Sequence, residues 1–138
     1  MTVQNATHNH EKIKLTKNQQ CVFSKLETAK VPLSAYTLLD ELRDDGFRAP
    51  LQVYRALEKL MEIGIVHRVE TLNAFVACNE TNCTNSKIIA FTICQTCGDV
   101  TELSDTALSS SLKKLAKSQG FEAKQSTIEL RGLCKACV

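Results

Sequence analysis

Cys94-Gln95-Thr96-Cys97 and Cys134-Lys135-Ala136-Cys137 are the stretches on which the reading of this 138-residue chain turns. Two thiolates separated by two residues can grip one face of a tetrahedral ion, and two such pairs complete a four-sulfur shell with no open position. A closed shell of that kind holds structure together and leaves no site for a substrate. The 36 residues between the pairs exceed the spacing of a simple metal ribbon, so a small subdomain must fold inside the clip, its ends tied by a structural zinc. Two disulfides, or a dithiol redox pair, are the competing readings of the same spacing. Composition weighs against both: seven cysteines accompany a polar stretch 1–14 with no apolar leader, which points to a reducing, cytoplasmic setting.

A chain of this length with 43% hydrophobic residues can bury real cores, but it has no tryptophan. Half of it, below about 70 residues, supports only a thin core, so a metal staple in one half favours two small domains. No segment approaches membrane-spanning length. Charge is nearly balanced, with ten Lys and Arg against nine Asp and Glu through Cys78 and seven against six after it. Charge alone therefore does not mark a nucleic-acid binder. The first thirty residues are mildly basic, with Lys12, Lys14, Lys17, Lys25 and Lys30 against Glu11 and Glu27, which reads equally well as a solvated face.

Moving outward from the clip toward the N-terminus, residues 88–94 are apolar and β-branched, and residues 99–103 resume after Gly98, so two strands pair across the first knuckle. Leu108, Leu112, Leu115 and Ala116 lie on one face of a helix over residues 105–119 closed by Gly120, and residues 121–131 supply a third strand. A three-stranded sheet with one helix leaves edges and a face uncovered, and a second copy of the chain is the natural cover. Residues 79–87 are polar and aperiodic, and read as a hinge.

Before the hinge, the pattern is three short helices and a hairpin. Thr16 and Gln19 have capping-box spacing for a helix with Val22, Phe23, Leu26 and Ala29 on one stripe. Ser34 is a plausible N-cap for a second helix with Leu38, Leu39 and Leu42, ended by Gly46. Pro50 suits the first turn of a third helix that runs to Ile63, with Val53, Leu57, Leu60 and Met61 inward and Gly64 after its end. Residues 65–70 and 74–78 are strand-like runs at hairpin spacing. That order is the order of a winged helix-turn-helix, in which the last helix enters the DNA major groove; a three-helix protein-interaction domain has the same pattern. Residues 1–14 read as a disordered arm in which His8 and His10 belong to a polar tail, and Cys21 as a small buried hydrophobe.

Ser34-Ala35-Tyr36, Val53-Tyr54-Arg55-Ala56-Leu57, Gly64-Ile65-Val66-His67-Arg68-Val69-Glu70 and the two cysteine pairs together resemble the ferric uptake regulator (Fur) family, over residues 15–138 and within its zinc-uptake-regulator branch. The resemblance implies an α+β protein: a disordered arm 1–14, a winged-helix DNA-binding domain 15–78, a hinge 79–87 and a dimerisation and zinc-binding domain 88–138. It further implies a homodimeric, metal-dependent repressor with a palindromic operator on double-stranded DNA and two zinc ions per monomer, one held by Cys94, Cys97, Cys134 and Cys137. By position, His67, Cys78 and Glu102 match three sensory ligands of the zinc branch. The branch places a hinge histidine at the position of Lys87, whose ammonium has no lone pair, so Cys83 in the same hinge is the best substitute, with water or another side chain as the alternatives. Two sulfurs, one nitrogen and one carboxylate favour zinc over iron or manganese.

On the DNA side, Tyr36 and Tyr54 match family positions near the duplex, with core packing as the other reading of Tyr54. Arg55 has the fork that pairs with guanine, and Gln52, where the family more often has threonine, could read adenine. Lys14, Lys17 and Arg68 are candidates for phosphate contacts. Two other classes compete. A metallohydrolase lacks a helical His-Glu-x-x-His motif and, in a four-ligand site, any open position. A thiol redox switch needs its cysteine pairs to be low-pKa thiols. An enzyme is not expected. A sensor of iron, manganese or thiol oxidation on the same scaffold is the alternative to zinc.

Overall fold

The computed structural model describes residues 14–78, 88–103, 105–124 and 126–138. The expected arm up to residue 13, and the expected hinge with Cys83, lie outside the described residues. The chain divides into two compact units, Met1–Thr84 and Asn85–Val138.

The first unit is built from helices α1 (Lys17–Ala29), α2 (Ala35–Glu41) and α3 (Pro50–Ile63) and strands β1 (Val66–Val69) and β2 (Ala74–Ala77). Local chemistry sets most of the boundaries. Thr16 Oγ1 accepts from the Gln19 amide at 3.3 Å while the Gln19 side chain accepts from the Thr16 amide at 3.0 Å, a reciprocal cap that satisfies amides the helix itself leaves unpaired. Ser34 Oγ accepts from the Thr37 amide at 3.1 Å and starts α2. A short 3-10 turn, Arg43–Asp45, then leads to Gly46 at φ +93°. Pro50 opens α3, and Gly64, at φ +96°, closes it: the Gly64 amide reaches the Met61 carbonyl and the Ile65 amide the Leu60 carbonyl, which is the Schellman geometry.

Val22, Phe23, Leu26, Leu38, Leu39, Phe47, Val53, Ala56, Leu57 and Leu60 form one core with Val66 and Phe75 from the hairpin. Each full burial of a leucine or phenylalanine contributes about 1.5–3 kcal/mol. Met61, expected inward, is only partly buried, and Ala56 takes a core place on α3 instead, because Ala56 lies three residues from Val53 and one from Leu57 on the buried stripe. The hairpin pairs Val66 with Ala77 and Val69 with Ala74 in antiparallel register. Leu33, between α1 and α2, joins it as an isolated bridge to Phe75, with backbone bonds of 3.0 and 2.8 Å. That bridge ties the start of α2 to the hairpin.

The second unit holds β3 (Ile88–Cys94), β4 (Val100–Leu103), α4 (Thr106–Ser118) and β5 (Ser126–Gly132), with sheet order β4-β3-β5. β4 is antiparallel to β3, whereas β5 is parallel to it, as the α4 crossover between β4 and β5 permits. The third strand begins at Ser126 and not at the expected position 121. Phe121 instead completes the end of α4: its amide bonds the Ala116 carbonyl at 2.9 Å and the Gly120 amide the Lys117 carbonyl at 3.0 Å. β3 is the buried strand, through Ala90, Phe91, Ile93 and Cys94. By contrast α4 buries no residue, and Leu115 on its apolar stripe is 62% exposed. Leu130 on β5 and Leu133 just beyond it are also exposed.

Candidate metal centres and nucleic-acid interface

The two ends of the clip meet. The four sulfurs of Cys94, Cys97, Cys134 and Cys137 all lie within 4.8 Å of one another, and Cys97 and Cys134 are 3.7 Å apart. Backbone bonds hold both knuckles in shape. The Gly98 amide reaches the Cys94 carbonyl, and the Cys94 amide the Asp99 carbonyl, while the Cys137 amide reaches the Cys134 carbonyl. The Gln95 amide bonds the Gly132 carbonyl at 2.8 Å, joining one knuckle to the strand that carries the other.

These distances discriminate between the readings of the spacing. A disulfide needs sulfurs about 2.05 Å apart, and all four of these cysteines are free. A tetrahedron with metal–sulfur bonds of about 2.3 Å places its sulfurs about 3.8 Å apart, which the Cys97–Cys134 separation of 3.7 Å matches. Ionisation points the same way. Amide groups of Cys97 and Cys134 draw the Cys94 thiol down to about 6, one of them the Cys134 N–H at 3.4 Å from its sulfur. Hydrogen bonding to Cys134, and then to Cys94 and Cys97, pushes Cys137 up to about 12. Sulfurs this crowded do not all ionise unless a cation neutralises them. The donor set, the count and the geometry fit zinc.

A second donor pair lies in the first unit. His67 on β1 faces Val76 on β2, and Cys78 is two residues further on, so the two side chains are diagonal neighbours on one face of the hairpin. The Cys78 amide extends the ladder by bonding the Ile65 carbonyl at 2.9 Å. A ring nitrogen of His67 and the sulfur of Cys78 lie within 4.8 Å, and both residues are buried, His67 to 5% exposure. Burial lowers the His67 pKa below its ordinary 6.5, favouring the neutral imidazole that has a lone pair to offer. Cys78 is disulfide-bonded in the structure, so its sulfur becomes a ligand only as the reduced thiolate. Glu102 sits on β4 of the second unit, half-buried and directly opposite Phe91. Cys83 lies outside the described residues.

The outer face of α3 is the third feature. Arg55 is exposed, and Tyr54, 38% exposed, stands outside the core, against the packing alternative. Tyr36, in the first turn of α2, is 66% exposed. Gln52, the candidate adenine reader, is half-buried in the first turn of α3. Its Oε1 accepts from the Arg48 amide at 2.7 Å and from the Ala49 amide at 3.1 Å, so the side chain secures the start of α3. Arg68 is engaged as well, by Asn73 at 2.8 Å and Glu70 at 3.6 Å. One exposed residue on this face went unread in sequence: Leu51, in the first turn of α3. Its signal was available, since Leu51 lies off the Val53, Leu57 and Leu60 stripe.

The sequence profile described as the ferric uptake regulator family matches residues 10–131. The chain belongs to the ferric uptake regulator family. The zinc uptake regulation protein of Escherichia coli (strain K12) is 36% identical to it over 144 aligned residues, which cover 99% of this chain and 84% of that protein. A solved zinc uptake regulator complexed with zinc and DNA has a TM-score of 0.84 at 34% identity, over 99% of this chain and 95% of that one. Holo XcZur has a TM-score of 0.80 at 40% identity, over 90% of this chain and 86% of that one. In this member of the ferric uptake regulator family, positions 83 and 87 are Cys and Lys. None of its described helices is long and apolar enough to cross a membrane.

Proposed function

We propose that this protein is a zinc-responsive, DNA-binding transcriptional repressor of zinc uptake genes, with zinc as corepressor closing a homodimer onto a palindromic operator. The observation that carries this reading is a division of donors: a closed four-sulfur shell in the second unit, and apart from it a nitrogen and a sulfur within 4.8 Å on the hairpin beside α3. The closed shell is structural zinc. The hairpin pair is an incomplete set, and Glu102 and Cys83 are its remaining regulatory ligands in this proposal. An ion that draws ligands from both units stabilises the arrangement it bridges by its own binding free energy, and so couples zinc concentration to the setting of the recognition helices. The 36% identity to a zinc uptake regulation protein across 99% of the chain supports zinc as the signal.

The apolar stripe of α4, on which Leu108, Leu112 and Ala116 are only half-buried and Leu115 is exposed, supports a second copy of the chain as the partner of the second unit. Two copies present two α3 helices to two half-sites, which is why the operator is palindromic. Arg55 and Tyr54 on α3, with Tyr36 on α2, are the DNA-facing residues; Lys14 and Lys17 contact phosphates. The role is regulatory and cytoplasmic, with no catalytic step.

One observation favours a second reading, a sensor of thiol oxidation: Cys78 is disulfide-bonded, and a disulfide withdraws that sulfur from any metal. The test measures binding to the protein's own upstream DNA against buffered zinc, with and without a thiol reductant, for the parent and Cys83→Ser. Binding that rises with zinc in the reduced parent, and a mutant that loses both the response and one zinc per monomer, supports the repressor and its fourth ligand. A zinc-indifferent parent whose binding follows the reductant alone supports the oxidation sensor instead.

A further inference from the structure

Leu51 is a large apolar side chain, 56% exposed, in the first turn of α3. Nothing in the core requires it. Tyr54 and Arg55, three and four residues on, share its face and are also exposed. Among the described residues Arg55 makes no ion pair. Glu58 and Glu62, also exposed, continue the outer surface toward the C-terminus. Glu62 is paired with Lys59 at 3.6 Å, whereas the N-terminal half carries no carboxylate and presents Arg55, so that half is the one that favours a polyanion.

Gln52 stands next to Leu51, and its carboxamide would be the expected reader of an adenine. A bidentate contact to adenine needs the carboxamide oxygen and NH2 together. Here the oxygen already accepts from two backbone amides. Direct readout in the first turn of α3 therefore passes to a side chain that makes no hydrogen bonds at all. The major groove offers such a side chain one specific partner, the 5-methyl group of thymine.

We infer that Leu51 is a specificity-determining base contact, packing on the methyl group of a thymine in the major groove. The inference rests on the DNA-binding reading above. Four residues of helix span about 6 Å, close to two base-pair steps of about 3.4 Å. The thymine accordingly lies about two base pairs from the guanine contacted by Arg55.

The test selects a preferred duplex from a randomised pool with reduced, zinc-loaded, full-length protein. Each thymine of the half-site is then replaced singly by deoxyuridine, which removes only the 5-methyl group. At one thymine the parent should bind about fourfold more weakly, the equivalent of about 0.8 kcal/mol for one buried methyl-sized group. Leu51→Ala should bind the thymine and deoxyuridine duplexes equally while keeping its zinc dependence, and Leu51→Met should recover the discrimination. A parent that binds in a zinc-dependent way but is indifferent to every such replacement overturns the Leu51 assignment and leaves the repressor reading standing. So does a Leu51→Ala protein that discriminates as the parent does. If the parent selects no duplex, the repressor reading fails and takes this inference with it.

Discussion

Gln52→Ala tests whether the side chain next to the base-reading positions acts on the protein instead of on DNA. The substitution removes an acceptor that holds the Arg48 amide at 2.7 Å and the Ala49 amide at 3.1 Å. Both bonds are solvent-exposed, so water replaces part of what is lost, and each is worth the lower part of the usual 0.5–1.5 kcal/mol, about 0.5–0.8 kcal/mol. Together they give about 1–1.5 kcal/mol, within the range for loss of a helix cap. With a urea slope of about 1 kcal/mol/M for a unit this small, the midpoint should fall by about 1–1.5 M. The chain has two tyrosines and no tryptophan, and Tyr36 and Tyr54 both lie in the first unit. Tyrosine fluorescence of the full-length, zinc-loaded protein therefore follows that unit alone. Gln52→Glu keeps the acceptor and adds negative charge at a helix N-terminus, and should restore the midpoint. A Gln52→Ala midpoint within 0.3 M of the parent, on the scale set by that slope, would refute the capping role. So would a Gln52→Glu protein as unstable as the alanine variant.

Other perturbations separate the two metal centres. Cys94→Ser removes one member of the four-sulfur shell and should abolish folding or dimerisation of the second unit, because structural zinc supplies folding free energy directly; a stable, zinc-free dimer on analytical ultracentrifugation would contradict this. Cys78→Ser should leave the dimer and one tightly held zinc per monomer intact and cost at least tenfold in zinc-dependent DNA affinity, on the scale of losing about 1.4 kcal/mol of coupling. Retention of the full zinc response by fluorescence anisotropy would remove Cys78 from the regulatory set. Burial lowers the His67 pKa below 6.5. The unfolded chain then binds a proton more readily than the folded one, so this contribution to stability is complete above pH 6.5 and lost as pH falls below it. The urea midpoint of metal-free protein should accordingly drop between pH 7.5 and pH 5.5 (assay settings of about one unit either side of the free histidine value), and drop less in His67→Gln. Identical losses in both proteins would show that His67 does not govern the acid limb.

Features resting on a few neighbouring residues were legible before any fold was known. Thr16 with Gln19, Ser34, Pro50 and Gly64 mark helix ends through bonds that span four residues or fewer. The Cys-x-x-Cys spacing names a metal clip for the same reason: two donors on one knuckle are a local geometry. Where the local signal was ambiguous, the reading slipped. Phe121 has strand character, yet its amide closes α4, and β5 starts five residues later. The apolar stripe of α4 was located by its period, but the period does not say that Leu115 stays exposed while Leu108, Leu112 and Ala116 are half-buried.

Sequence by itself thus determined the element order, the helix caps, the four-cysteine clip and membership of a metalloregulator family. Tertiary structure decided what depends on groups far apart in the chain. It brought the sulfurs of Cys97 and Cys134 to 3.7 Å across 37 positions, set His67 diagonal to Cys78 through hairpin register, and bound Leu33 to Phe75. It also turned Gln52 back onto its own helix and Leu51 outward. Periodicity says which residues share a face of an element, but which faces meet is settled only when non-local burial and pairing repay the entropy of closing the loops between them.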